Sequence, residues 1–331
     1  MFLKINKILT LIFFSLLIFT FSSLSQEKKI ILKFGHFAPI NHPIDVGINK
    51  AAEEIKKLSN GRIIINVFPA SQLGNNKELV QQVSDGSLEF VTDGPGMLAN
   101  WHKPIEIFEA PFFAKDWEEM KKFTGSNAAK KLYSDLENKS NLKIIGNSWY
   151  YGVRHFTTKN KPINTPNDLK GLKIRVPQSP LYIDMISSLG AIPTPMPFPE
   201  VYVALQTNLV DGQENPVATI NAGKFQEVQK HLSLTSHIMT PFWMITNTKV
   251  WNSLAKMDQE IILKGFNSGS IINNELTFKG EKELLDKFKT AGMTISTPNK
   301  DLFQDKMKKV YQNNEEKWGK NLVSQIRQKI N

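Results

Sequence analysis

Apolar, β-branched runs alternate with segments of helical periodicity in the first third of the chain. Residues 30–37, 62–68 and 88–92 are such runs and predict three strands. Apolar residues recur every three or four positions across residues 43–60 and 79–83, which predicts a helix between successive strands. Strands that alternate with helices in this way predict an α/β fold with a mostly parallel sheet flanked by helices.

A second alternating block occupies the middle of the chain. Residues 142–152 and 172–176 predict strands. Proline at every second position of residues 192–199 predicts a stiff extended segment rather than a central strand. Residues 199–209 predict a helix that begins at a proline. From residue 273 onward the chain is predicted to be helical and charged.

Several candidate residues end or directly follow the predicted strands of the first block. His36 and Phe37 end the first strand, residues 71–74 follow the second, and residues 93–96, which begin with Asp93, follow the third. Ligands bind at the carboxyl ends of strands in such sheets. These positions are therefore candidates for a binding site.

The N-terminus has the organisation of a secretory signal peptide. Lys4 and Lys7 precede a mostly apolar stretch at residues 8–21, which is shorter than the roughly 20 residues of a membrane span. Ser23 and Ser25 supply the small residues of a cleavage site, so we expect a signal peptide at residues 1–25 and cleavage before Gln26. An uncleaved membrane anchor is the alternative.

The composition of the chain excludes some classes of binding partner and some kinds of chemistry. The formal net charge is +10, yet only four of the 41 basic residues are Arg, and the Lys residues are scattered. Proteins that bind nucleic acids usually rely on clustered Arg, so no nucleic-acid partner is expected. The chain has no Cys, which excludes thiolate enzymes and cysteine-ligated metals.

The motifs of the common enzyme classes are missing from the chain. It has no GxSxG elbow, HExxH pair, Walker loop, GxGxxG turn or EF-hand loop, and its six His lack a helical metal spacing. We therefore expect no catalytic residue, no metal and no cofactor.

Two of the four Arg stand out by their position. Arg154 and Arg175 both lie toward the ends of predicted strands of the second block, where a cleft is expected. The planar guanidinium offers two parallel donors that match a carboxylate, which Lys cannot imitate. Binding of an anion is favoured for Arg175. For Arg154, a structural ion pair is an equally good interpretation.

Seven separated motifs stand out along the chain after the leader. They are Ser-Gln-Leu-Gly at 71–74, Asp-Gly-Ser-Leu at 85–88, Pro-Asn-Asp-Leu-Lys-Gly-Leu-Lys-Ile-Arg-Val-Pro at 166–177, Pro-Thr-Pro-Met-Pro-Phe at 193–198, Glu-Val-Tyr-Val-Ala-Leu-Gln at 200–206, Asp-Gly-Gln-Glu-Asn-Pro at 211–216 and Leu-Ser-Leu-Thr-Ser-His at 232–237. In this order they resemble the motifs of the DctP-type solute-binding proteins of TRAP (tripartite ATP-independent periplasmic) transporters. The resemblance covers nearly the whole chain after the leader and is densest between Gly152 and His237.

The resemblance implies a periplasmic, two-lobed binding protein that closes on an organic acid. The expected lobes are residues 26–151 with 241–280 and residues 152–240 with 281–331, with hinges near Tyr151 and Thr240. The implied partners are a small organic-acid ligand and the membrane permease subunits of a sodium-coupled transporter, and the protein is expected to be a monomer. A ligand-sensing protein or an organic-acid-processing enzyme on the same scaffold is the alternative.

The resemblance also implies roles for individual residues. Arg175 matches the family's carboxylate-clamping position and Arg154 a second cleft arginine, while Asn215 and Phe198 match other ligand contacts. His36 could donate to a second carboxylate, and Asp93 would suit hydroxyl groups.

The first lobe departs from the sialic-acid binders, because Phe37 stands where those proteins have an Asn. A nine-carbon sugar acid is therefore not expected. A four-carbon dicarboxylate, a small keto or hydroxy acid, and a hexuronate stay open.

Overall fold

The computed structural model describes residues 28–328, so the expected signal peptide at residues 1–25 and its cleavage site before Gln26 lie outside the described residues. No helix in the described range is both long and apolar enough to span a bilayer. The strands are β1 (Ile30–Gly35), β2 (Ile63–Phe68), β3 (Phe90–Asp93), β4 (Leu142–Thr158), β5 (Lys173–Val176), β6 (Ile192–Pro195), β7 (Gly212–Pro216), β8 (His231–Asn247) and β9 (Thr294–Ser296).

The α-helices lie between these strands and at the C-terminal end. They are α1 (Pro43–Leu58), α2 (Asn76–Asp85), α3 (Pro95–Leu98), α4 (Trp117–Gly125), α5 (Asn127–Ser140), α6 (Pro180–Ser188), α7 (Val201–Gln206), α8 (Val217–Ala222), α9 (Thr248–Ser253), α10 (Lys256–Thr290), α11 (Lys300–Trp318) and α12 (Leu322–Gln328). Four short 3₁₀ helices are Lys103–Glu109, Pro166–Leu169, Phe198–Glu200 and Phe225–Glu227.

Local sequence signals explain several helix starts. Pro43 is the first residue of α1, where a missing N–H costs nothing, and the His42 side chain accepts a hydrogen bond from the backbone N–H of Ile44. Asn75 and Glu78 form a reciprocal capping box at the start of α2. These signals act within one turn of helix, so the first-block elements follow the predicted ones closely.

Two elements are longer than the sequence pattern predicts. Strand β4 continues past residue 152 to Thr158, and α10 begins at Lys256 rather than near residue 273. Both extensions pack against other long elements, β4 along β8 and α10 along α1 and β4. Their length therefore depends on contacts that are distant in sequence.

The strands form one hydrogen-bonded path in the order β2-β1-β3-β8-β4-β7-β5-β6, with β9 beside β8. Pairing is parallel toward both ends of the path, among β2, β1 and β3 and among β7, β5 and β6. The central pairs β3–β8, β4–β8 and β4–β7 are antiparallel. Two long strands, β4 and β8, thus join the two parallel regions.

The pairing of β4 with β8 is irregular near the expected hinges. The register shifts between Ile145 and Trp149 and again between Tyr150 and Gly152, where Gly152 lies opposite Thr240. Gly152 has a φ of 122°, a conformation that favours glycine, and a Cβ there would lie 2.8 Å from the Pro216 side chain. The lobe boundaries and the hinge role of this region stay predictions.

Buried apolar side chains form two clusters, one on each face of the sheet. Along β8, Trp243 and Ile245 belong to one cluster, whereas Phe242 and Met244 belong to the other. Successive side chains of a strand point to opposite faces, so β8 contributes to both. Because the chain has no Cys, these clusters stabilise the fold without disulfides.

Helix α10 approaches α1 closely at glycines. A Cβ on Gly269 would lie 2.4 Å from the Gly47 carbonyl oxygen and 2.8 Å from the Trp149 ring. A Cβ on Gly280 of the same helix would meet only the Leu284 side chain, at 3.5 Å. The contact between the two helices therefore requires glycine at position 269 and not at position 280.

We expect Gly269→Ala to lower the free energy of unfolding by about 1–3 kcal/mol, because the added methyl group overpacks a backbone contact. Gly280→Ala is the matched control and should raise stability by up to about 1 kcal/mol through helix propensity. Urea unfolding of both variants checks this. Equal stabilisation by the two substitutions would show that the helices are not packed this closely.

Candidate functional site

A small cavity of about 50 Å³ lies where the ends of several strands meet. Phe37 follows β1, Asp93 ends β3, Arg175 lies on β5 and Phe198 follows β6. This agrees with the expectation that binding occurs at the carboxyl ends of strands. The cavity is lined by Phe37, Asn76, Asp93, Gly94, Met97, Glu109, Tyr151, Arg154, Arg175, Pro177, Tyr182, Phe198, Asn215 and Phe242.

Arg175 is a buried cation without a carboxylate partner. Its side chain is 3% exposed, and Nε and Nη2 both donate to the Met196 carbonyl oxygen, at 3.2 and 2.8 Å. No carboxylate in residues 28–328 forms an ion pair with it. Burial lowers the pKa of Arg175 to about 10, against the opposing effect of the Glu214 charge. The guanidinium therefore carries a charge that the protein leaves without a carboxylate partner.

Arg154 is also buried in the cavity wall, but its charge is paired. Its Nε donates to Oε2 of Glu214 at 2.6 Å and its Nη2 to Oε1 at 2.8 Å, a two-pronged ion pair. Its guanidinium also lies 5.0 Å from the Tyr182 ring centroid. The structural ion pair considered for Arg154 is thus present, although Arg154 still lines the cavity.

Glu214 is a central residue that the sequence analysis missed. It accepts hydrogen bonds from Arg154 and lies 3.2 Å from Nε2 of His237. Burial alone would raise the pKa of Glu214, but the Arg154 charge and hydrogen bonds hold it below its ordinary value. Its place beside Asn215 within the 211–216 motif was the available signal, and nothing local indicated which cation it would meet.

Asn215 is held in the wall by its neighbours. Its Oδ1 accepts from Nη2 of Arg154 at 3.1 Å, and its Nδ2 donates to Oε1 of Gln213 at 2.6 Å. Gln213 in turn donates to Oγ1 of Thr157 at 2.9 Å. Because an amide nitrogen has two hydrogens, the Asn215 amide keeps one donor for a ligand.

Asp93 and Glu109 contribute acidic groups to the wall. Oδ2 of Asp93 accepts a hydrogen bond from Nδ2 of Asn76 at 2.7 Å. Oδ1 of Asp93 accepts a hydrogen bond from the backbone N–H of Gly94 at 2.8 Å. Oε1 of Glu109 accepts from the Tyr182 hydroxyl at 3.0 Å. Burial raises the pKa of Asp93 to about 7 and also raises that of Glu109. Glu109 and Asn76 were not identified from the sequence, because neither belongs to a motif that the resemblance carried.

Aromatic rings form the apolar part of the wall. The Phe37 ring contacts those of Phe198 and Phe242, with centroids 5.6 and 6.0 Å apart. The rings of Tyr151 and Phe242 stack in parallel at 4.1 Å. Phe198 also lies beside Arg175, 6.0 Å from its guanidinium. These rings exclude water and so strengthen electrostatic interactions in the cavity.

His36 differs from the other expected site residues, because it does not line this cavity. Its ring is fully buried, with Nε2 3.4 Å from Oδ1 of Asp45 and the ring edge-on to Phe34. Phe37, the next residue, lines the cavity instead. Successive side chains of an extended segment point in opposite directions, which explains why only one of the two lines it. A contact of His36 with a second ligand carboxylate stays a prediction.

Comparisons with known proteins identify the family of the chain. The family model "Bacterial extracellular solute-binding protein, family 7" (DctP) matches residues 34–317. The chain is 32% identical to the sialic acid-binding periplasmic protein SiaP of Vibrio cholerae, over 91% of this chain and 94% of that protein. It is 31% identical to the C4-dicarboxylate-binding periplasmic protein DctP of Rhodobacter capsulatus, over 81% and 80% of the two chains.

The fold matches solved structures of the same type. One is a TRAP periplasmic solute binding protein from Ochrobacterium anthropi with bound L-fuconate, with a TM-score of 0.87 and 29% identity, covering 92% of this chain and 100% of that chain. The match confirms the expected α/β periplasmic binding-protein fold. The chain belongs to the DctP family of TRAP periplasmic solute-binding proteins, a family that binds solutes without acting as enzymes.

Proposed function

We propose that this protein captures a small organic acid in the cavity beside Arg175 and delivers it to the membrane permease subunits of a TRAP transporter. One observation carries the proposal: Arg175 is buried in the wall of the cavity and has no carboxylate partner among residues 28–328. Burying an unpaired charge is costly, so such a group is expected where a ligand supplies the opposite charge.

The surroundings of Arg175 suit a carboxylate. A guanidinium can donate two parallel hydrogen bonds to the two oxygens of a carboxylate, and Arg175 lies on a short strand that fixes its direction. The Asn215 amide can add a donor, and the Phe198 ring covers the ion pair from water.

The relatives support the ligand class and the delivery step. They include proteins named for sialic acid and for C4-dicarboxylates, and a structure with bound L-fuconate; each of these ligands carries at least one carboxylate. Delivery requires export, so the signal peptide at residues 1–25 and a periplasmic location belong to the proposal. So do a monomeric state and closure of residues 26–151 with 241–280 onto residues 152–240 with 281–331.

Arg175→Lys tests the clamp. Lysine keeps the positive charge but cannot donate two parallel hydrogen bonds to a carboxylate. We therefore expect the Kd of the best ligand to rise at least tenfold, equivalent to about 1.4 kcal/mol. The ligand is found first by a thermal-shift screen of organic acids, where an acid at 100 times its Kd stabilises the protein by about 2.7 kcal/mol. Calorimetric titration then gives the Kd values.

Two matched substitutions complete the series. Arg154→Lys should weaken binding less, because Glu214 already engages most of that guanidinium. Arg62→Lys should leave the Kd unchanged, because Arg62 pairs with Asp258 away from the cavity. A folded Arg175→Lys variant that binds like the parent would refute the clamp.

Because of Asp93, the stability of the ligand-free protein is also expected to depend on pH. Burial raises the pKa of Asp93 to about 7, above its ordinary value of 3.8, so the folded state holds this proton more tightly than the unfolded state. Stability therefore falls as the pH rises between these two values, and the full penalty is present above pH 7.

We expect Asp93→Asn to remove this part of the pH dependence. Relative to the variant, the ligand-free parent should lose stability between pH 4 and pH 7, by at most about 4 kcal/mol at 1.36 kcal/mol per pKa unit. Urea midpoints across this range measure the difference. Parallel curves for the two proteins would show that Asp93 titrates normally.

A further inference from the structure

We infer that the bound acid is a monocarboxylate that carries hydroxyl groups, and not a dicarboxylate. The inference rests on the proposed function and goes further, because it selects one of the ligand classes that stay open. Three features of the cavity carry it: the single unpaired cation, the two acidic groups of the wall, and the balance of charge between them.

The cavity offers one cation for a carboxylate. Arg154 and Arg175 are the cationic side chains among the lining residues. Both oxygens of Glu214 are hydrogen-bonded to Arg154, at 2.6 and 2.8 Å, so that cation is already neutralised. Arg175 donates only to a neutral carbonyl oxygen. One carboxylate of a ligand can therefore find an unpaired cation, and a second cannot.

Two acidic side chains of the wall offer acceptor oxygens. Asp93 and Glu109 both line the cavity, and each is less than 6% exposed. Asp93 accepts one hydrogen bond on each oxygen, from Asn76 and from Gly94, and a carboxylate oxygen has room for a second. A hydroxyl group can donate to such an oxygen. A second ligand carboxylate has no hydrogen to donate and would place a like charge beside these acids when they are ionised.

The net charge of the cavity wall favours the same class of ligand. With Asp93 and Glu109 ionised, the wall repels a second negative charge. Burial raises the pKa of both groups, and with both neutral the Arg154–Glu214 pair leaves one net positive charge, that of Arg175. One ligand carboxylate matches that charge. A monocarboxylate matches the net charge of the wall when both acids are neutral and finds a cationic partner in either protonation state, whereas a dicarboxylate leaves one carboxylate without a cationic partner in both.

Calorimetric titration of the parent protein at pH 7.5 with three panels of acids tests the inference. The first panel holds aldonates and hexuronates of four to six carbons, the second succinate, L-malate and fumarate, and the third pyruvate and propionate, which carry no hydroxyl group. We expect the tightest ligand to come from the first panel and to bind at least tenfold more tightly than any acid of the other two.

The outcomes separate this inference from the proposed function. A tightest ligand from the second panel would overturn the inference and leave the organic-acid function intact. A tightest ligand from the third panel would overturn the hydroxyl part of it. If no acid of any panel binds, the proposed function fails and this inference fails with it.

Asp93→Asn gives an independent test with opposite expectations for the two classes. The amide keeps the shape of the side chain but removes the charge and one acceptor oxygen, so the best hydroxy monoacid should bind at least tenfold more weakly. Succinate should bind no more weakly than to the parent, because the repulsion is gone.

Asp85→Asn is the matched control. Asp85 is an exposed residue at the end of α2, outside the cavity, so the same change of net charge there should leave both affinities unaltered. Weaker binding of both acid classes to Asp93→Asn alone, or an unchanged affinity for the hydroxy acid, would overturn the role of Asp93. The comparison of acid panels on the parent protein decides the inference even if Asp93→Asn does not fold.

Discussion

The buried, unpaired charge of Arg175 is the constraint on which the rest of the site depends. A guanidinium that is 3% exposed and bonded only to the Met196 carbonyl oxygen has lost most of its hydration without gaining an opposite charge. The fold must hold it there at a cost in stability. The surrounding clusters on both faces of the sheet supply that stability, because the chain has no disulfide to do so.

The two cavity arginines show how partners decide what a residue does. Arg154 and Arg175 are of the same type, equally buried and close enough to affect each other's charge. The antiparallel pairing of β4 with β7 places Glu214 against Arg154 and leaves Arg175 without an acid. One arginine therefore helps to build the wall, and the other is available to a ligand.

Much of the site follows from local sequence, and the rest depends on contacts that local sequence does not reveal. Five of the expected residues line the cavity. Arg175, Phe198, Asn215 and Asp93 lie at or just beyond strand ends as expected, whereas Arg154 lies inside β4, which continues to Thr158. The choice between His36 and Phe37 could not be made, since it depends on the direction of two successive side chains at the end of β1.

Glu214 and Glu109 were missed because a buried acid is recognised by its partners, and these come from other segments. The same reason explains the strand β4 and the helix α10, whose full length requires packing against β8 and α1.

A crystal structure of the protein with the best acid of the screen tests the central claim most directly. The account predicts that both oxygens of one ligand carboxylate lie about 2.7–2.9 Å from the Arg175 guanidinium, while Arg154 stays paired with Glu214. A carboxylate bound to Arg154 with Glu214 displaced, or bound away from both arginines while Arg175 keeps its bond to Met196, would contradict it.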